Sequence, residues 1–287
     1  MSLASSDYIF TNKKGGVQVH ADLAFVSIYP TLSPDTPIDE VSKKIREKVI
    51  ADSKEKYAGK EPTSGSLNNC SGRWNELAFL IAAHISVLEN KDTIYVVRMG
   101  NEASIKFWEV YTEESRKNFQ NLLTRLAQKN ISLRCSTPDF IVVNREVVKG
   151  LVPQLSSTEI SLQQMSLILG LYEYLKGKCK PADVKSFISI KTSNRPDRRY
   201  QILYEATITK YASKHIHDCN HPLRFDIIGN STPEDTDVFS APEILTLPHI
   251  FPFQNLELGE VKKLIDSDER ITTKEELDMY WDRYPEK

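Results

Sequence analysis

Four short apolar runs constrain the fold most: TIYVVRM (93–99), DFIVV (139–143), KSFISIK (185–191) and LRFDIIG (223–229). Each is rich in β-branched or aromatic residues and too short for a typical helix, so each reads as a strand. A further strand, ISLRC (131–135), is pinched off from DFIVV by Ser136, Thr137 and Pro138. Between these runs, apolar residues recur at helical spacing. Ile38, Val41, Ile45 and Val49 mark a helix from Pro37 to about Ala58, with Thr36 to cap it and Gly59 to end it. Trp74, Leu77, Ala78, Ile81, Ile85 and Leu88 mark a core-facing helix over 73–89, after a loop-like segment at 61–72. Phe119, Leu122, Leu123 and Leu126 mark another; 158–177 and 197–214 read as two more, the second opened by Pro196-Asp197. Residues 231–255 read as irregular, and 257–266 and 273–283 as short helices. Strands interleaved with helices predict an α/β or α+β core.

Several classes are disfavoured. With 37 Lys and Arg against 39 Asp and Glu, the chain carries a net charge of −2. That gives no bulk attraction to nucleic acid, yet leaves room for a local basic groove. The apolar run Leu77 to Leu88 is broken by His84 and is too short to span a bilayer. The N-terminus has no secretory pattern, and Cys70, Cys135, Cys179 and Cys219 form no CxxC, so a reduced cytoplasmic chain is expected. His215, His217, Cys219 and His221 match no established zinc spacing. Phe107, Trp108 and Tyr111 are expected in the core rather than as a stacking platform, and the acidic stretch DSDERITTKEELD as a solvated helical face.

Two features suggest chemistry. Pro138-Asp139 opens one strand, and Ser189-Ile190-Lys191 ends another, 52 residues on from Asp139 to Lys191. An acid and a lysine on adjacent strand ends suit metal-dependent phosphodiester hydrolysis. The carboxylate holds Mg2+, which polarises a phosphate and activates water; the lysine offsets developing charge. One carboxylate holds Mg2+ poorly, and the residue two before Lys191 is Ser189, not an acid. Glu205 shares a helix face with Arg198 and Gln201, opposite Leu203, and can point back at the strand ends. Glu76, off the Trp74–Leu88 stripe, is a further candidate. Beyond Lys191 lie Arg195, Asp197 and Arg198. Arginine bonds bidentately to guanine and aspartate accepts from cytosine, so the set can read neighbouring G·C pairs. From 185 to 214 seven Lys and Arg (185, 191, 195, 198, 199, 210, 214) face only Asp197 and Glu205, a locally basic segment.

The ordered set Pro138-Asp139, Ser189-Ile190-Lys191-Thr192, Arg195-Pro196-Asp197-Arg198-Arg199 and Glu205 resembles the type II restriction endonucleases of the PD-(D/E)XK superfamily. Within it the chain is similar to the branch that cuts sites with a CCGG core, above all the purine-CCGG-pyrimidine cutters. There the second acid sits on the following helix, which accounts for Ser189 and makes Glu205 its replacement. CSGRWNE (70–76), where Glu76 matches a further active-site acid, and IYVVRMGNEASIKF (94–107) share the likeness, which runs from about residue 60 to 215.

The resemblance implies a restriction-endonuclease-like mixed β-sheet flanked by helices. It implies a single domain over 1–287, with a core at about 60–230 and with 1–60 and 231–287 packed on it. It assigns Asp139 and Glu205 to Mg2+, Lys191 to catalysis, and Arg195, Asp197 and Arg198 to the CCGG core. It further implies cleavage before that core with a four-base 5′ overhang, a homodimer or tetramer on a palindrome, and a matching methyltransferase. Two other classes compete. A DNA-binding protein without catalysis would not respond to metal; a repair-type nuclease of the same superfamily would not cut at a fixed site.

Overall fold

The computed structural model describes residues 7–100, 106–130, 137–153, 160–191, 196–213, 223–240 and 264–284. In chain order the strands are β1 (Ile9–Thr11), β2 (Val17–Val19), β3 (Ile94–Arg98), β4 (Phe140–Asn144), β5 (Val184–Lys191), β6 (Arg224–Gly229) and β7 (Ser267–Glu269). The helices are α1 (Ala21–Ile28), α2 (Val41–Lys56), α3 (Ser64–Asn90), α4 (Glu113–Ala127), α5 (Leu162–Leu175), α6 (Pro196–Tyr211), α7 (Pro233–Ser240) and α8 (Lys274–Trp281). The chain divides into two compact units. Met1–Lys91, Val152–Leu169 and Ile271–Pro285 form the first; Asp92–Leu151, Gly170–Arg270 and Glu286–Lys287 form the second.

The first unit holds the β1–β2 hairpin with α1, α2, α3 and α8. Segment 61–72, expected as a loop, is mostly helix. Thr63 caps α3 by accepting from the Ser66 N–H, and Leu67 and Cys70 are buried. Burial outweighs the weak helix propensity of serine, glycine and asparagine here. Arg73 forks onto Asp22 at 2.8 and 3.1 Å, and the Trp74 indole donates to the Ala21 carbonyl at 2.9 Å, which ties α3 to α1. The helix expected from Pro37 starts at Val41, and Gly59, at φ +87°, reverses the chain after it as expected. The hairpin and α1 carry too few residues to be legible from periodicity. Ile271 and Leu277, within the stretch DSDERITTKEELD, are buried, so it is not simply a solvated face.

The second unit is built on a mixed sheet in the order β3-β4-β5-β6-β7. β4 pairs antiparallel with both β3 and β5, and β5, β6 and β7 run parallel. β5 lies in the middle, and Ser186 through Ser189 are all buried, as a central strand covered on both faces requires. Phe107 meets Phe119 and Phe187 edge-on at 5.5 and 5.8 Å and Tyr111 is buried, so Phe107 and Tyr111 are core as expected, while Trp108 is half-buried. Two elements differ from the sequence reading. α7 lies in a stretch expected to be irregular, opened by Pro233 with Thr232 and Asp235 hydrogen-bonded across its start. β7 is Ser-Asp-Glu, a polar edge strand with no apolar signature, and residues 264–266 ahead of it are not helical. The strand expected at 131–135, the His215–His221 cluster and residues 257–263 lie outside the described residues.

Candidate active site

The site assembles where β4 begins and β5 ends. Asp139 immediately precedes β4, and its carbonyl accepts from the Met99 N–H at 2.9 Å just beyond β3. Its carboxylate turns to β5. Oδ2 accepts the Ile190 backbone N–H at 2.7 Å and the Lys191 ammonium at 3.3 Å. Both side chains are nearly buried, at 12% exposure for Lys191 and 14% for Asp139. Charge-assisted bonds of this kind are worth about 1.5–3 kcal/mol each, and they join the start of β4 to the end of β5 just beyond the last pair of their ladder, Phe140 with Ile188. Among the described residues no donor reaches Oδ1 of Asp139.

Glu205 meets the same strand one position earlier. Ser189 Oγ donates to Oε2 at 3.2 Å, and Gln201 Nε2, one turn back on α6, donates to Oε1 at 2.9 Å. Ser189 is fully buried and Glu205 is 2% exposed. α6 can bury this carboxylate because Ile202, Leu203, Ala206 and Ile208 are buried as well, so polar and apolar faces both lie inside. Ser189 thus contacts the Glu205 carboxylate while Ile190 and Lys191 contact that of Asp139, so both acids meet the same end of β5.

Glu76 lies in the first unit, in the middle of α3 rather than in a first turn, and is 8% exposed. Arg195 lies outside the described residues; Asp197 and Arg198 fall in the first turn of α6. Gly229 is a residue that the sequence reading passes over. It pairs with Lys191 across the parallel β5–β6 ladder, and a Cβ there would stand 1.9 Å from the Lys191 carbonyl oxygen. Its one sequence signal is a glycine ending an apolar strand, a mark of close backbone approach.

The donor set fits Mg2+. It offers hard carboxylate oxygens, one of them without a donor among the described residues, beside a lysine. Among the described residues no cluster of three or more His, Cys, Asp or Glu side chains could hold a metal. Mg2+ commonly uses one or two carboxylates and completes its shell with water and substrate phosphate, so a pair suffices.

A mixed sheet with an acid and a lysine on neighbouring strand ends, and a second acid on the next helix, defines a restriction-endonuclease core. Residues 10–268 match the family described as Cfr10I/Bse634I restriction endonuclease, and the chain belongs to that family. It is 32% identical over 162 residues to the type II restriction enzyme Cfr10I of Citrobacter freundii, covering 55% of this chain and 57% of that protein. The chain therefore aligns with a little over half the length of that relative. Two solved structures share the fold at 20% identity: Bse634I with cognate DNA, at a TM-score of 0.79 over 98% of this chain and 99% of that one, and Bse634I restriction endonuclease, at 0.80 over 98% of each.

Proposed function

We propose that the protein is a Mg2+-dependent type II site-specific deoxyribonuclease that hydrolyses double-stranded DNA at a palindrome with a CCGG core. The observation that carries this reading is the Lys191–Asp139 contact at 3.3 Å, with Glu205 held on Ser189 two residues before the lysine. Asp139 and Glu205 hold the metal, and Ser189 and Gln201 keep the Glu205 carboxylate in place. Bound Mg2+ supplies Lewis-acid polarisation of the scissile phosphate and a more acidic water. Lys191 orients the attacking water and offsets charge building on the phosphoryl oxygens. Water attacks phosphorus in line; the bond to the 3′-oxygen breaks, leaving a 5′-phosphate and a 3′-hydroxyl. Glu76, the further acid that the resemblance adds, is assigned to a second metal.

Arg195, Asp197 and Arg198 read the CCGG core, and cleavage before it leaves a four-base 5′ overhang. A homodimer or tetramer supplies one subunit per half-site, and a cognate methyltransferase protects host DNA in the cytoplasm. Among the described residues no helix is long and apolar enough to cross a membrane. The family match runs through both compact units, which supports one endonuclease domain.

The test is a digest of unmethylated plasmid by purified protein with Mg2+, with the ends sequenced. Discrete fragments ending at CCGG are expected, and the flanking bases are read directly. No cleavage across several divalent metals on multi-site DNA would favour a binding-only protein; cleavage at unrelated positions would remove the proposed reader.

A further inference from the structure

We infer that Arg199 is a positioning residue that clamps the first turn of α6 onto α7, rather than a DNA contact. This rests on the reading that Asp197 and Arg198, in that same turn, recognise bases. The sequence places Arg198 and Arg199 side by side in a basic segment, where either could address DNA. Neighbours on a helix project about 100° apart, and the direction Arg199 takes is into α7. Its Nη1 lies 3.0 Å from Glu234 Oε1, its Nη2 donates to Glu234 Oε2 at 3.4 Å, and its Nε forms an ion pair with Asp235. The Arg199 side chain is 13% exposed and that of Asp235 is 1% exposed. To reach a base or phosphate, Arg199 would have to leave two carboxylates and abandon one in the interior.

Asp235 is itself held. Its Oδ2 accepts the Thr232 N–H at 2.7 Å and the Thr232 hydroxyl at 2.8 Å, which fastens the start of α7 to the segment leaving β6. β6 ends at Gly229, the residue paired with Lys191. A short series of rigid links therefore runs from the base-reading turn through Arg199 and Asp235 to the strand neighbour of the proposed catalytic lysine. A planar fork can engage both acids at once; a lysine, as a point donor, cannot.

The experiment measures kcat/KM at the site mapped in the plasmid digest and at duplexes with one core base pair replaced. The variants are Arg199→Ala, Arg199→Lys, Asp235→Asn and the Arg199→Ala/Asp235→Asn pair, with Asp197→Ala alongside. The readout is the ratio of cognate to altered rates, which a loss of folded enzyme does not change because it lowers both rates equally. Arg199→Ala and Asp235→Asn should each lower the ratio about tenfold or more, the double variant no further, and Arg199→Lys by less, since residues that act as one unit are non-additive. Should Arg199→Ala fail to fold, Arg199→Lys and Glu234→Ala, whose side chain is 76% exposed, carry the same readout. Lost discrimination in Arg199→Ala with full discrimination in Asp235→Asn would make Arg199 a direct contact and overturn the clamp. Unchanged ratios in every clamp variant, with a lowered ratio in Asp197→Ala, would overturn the clamp alone. An unchanged ratio in Asp197→Ala would overturn the base-reading assignment and the clamp with it.

Discussion

Ser189 and Glu205 meet across β5 and α6, the serine hydroxyl donating to the carboxylate at 3.2 Å. The strand position without an acid therefore touches the helical acid that the resemblance puts in its place. Ser189→Ala removes one of the donors that orient Glu205. Partners that orient a metal's ligands typically account for 10–100-fold in metal affinity. The Mg2+ concentration for half-maximal cleavage should rise by about that factor. A Mg2+ titration of the cleavage rate checks it, and an unchanged requirement would remove Ser189 from the site.

Lys191→Ala deletes the cation beside Asp139 Oδ2. Loss of one preorganised electrostatic partner of a transition state commonly costs about 10²–10³ in kcat. Cleavage should fall at least that far, while binding to a CCGG duplex in a gel shift without metal persists. Retained cutting would end the assignment of Lys191.

Gly229→Ala places a methyl group 1.9 Å from the Lys191 carbonyl oxygen, so the end of β5 must shift. Forcing atoms into a packed position costs about 1–3 kcal/mol, to be read from urea unfolding. The larger effect should be on kcat, because the displaced residue is Lys191 itself. Wild-type kcat in a folded Gly229→Ala protein would show that the shift stops short of the lysine.

Lys210 ties α6 to Asp266 in a buried ion pair. Burial lowers its pKa below the usual lysine value, although Asp266 pulls the other way. The unfolded chain then keeps a proton that the folded one has released, over the interval between the lowered value and the ordinary 10.5. Stability from this group accordingly rises with pH across that interval and is flat below it. The buried tyrosines change stability in the opposite sense, so the measurement is the difference between wild type and Lys210→Met in unfolding free energy at pH 8 and about pH 10. The wild type should gain relative to the variant on going up; a constant difference would mean that Lys210 titrates alike in both states.

Much of the site is legible in the chain because the chemistry needs particular residue types at strand ends. Asp139 before an apolar strand, Lys191 closing another and Glu205 on the next helix can each be named from order and periodicity. The strands β3 to β6 follow from β-branched runs, since burying a sheet dictates which side chains its strands carry. β7 and α7 do not show themselves, because a polar edge strand and a short capped helix are stabilised by neighbours rather than by their own pattern. The first turns of α3 are hidden for the same reason: Ser, Gly and Asn are poor helix formers that the buried Leu67 and Cys70 overrule.

Residue types, their order and the alternation of strands with helices are properties of the sequence alone. They determined a mixed α/β core and the family's set of acids and lysine. Which atoms meet was decided by the tertiary structure. The parallel pairing of β5 with β6 sets Gly229 against Lys191, and packing of α6 on the sheet brings Glu205 to Ser189. The start of α7 takes Arg199 out of the basic segment to which its sequence neighbours belong. These contacts join residues well separated along the chain, 16 positions for Ser189 with Glu205 and 35 for Arg199 with Glu234. Local propensity acts over a turn or two, so only the closure of the sheet and the burial of charge against charge could select them.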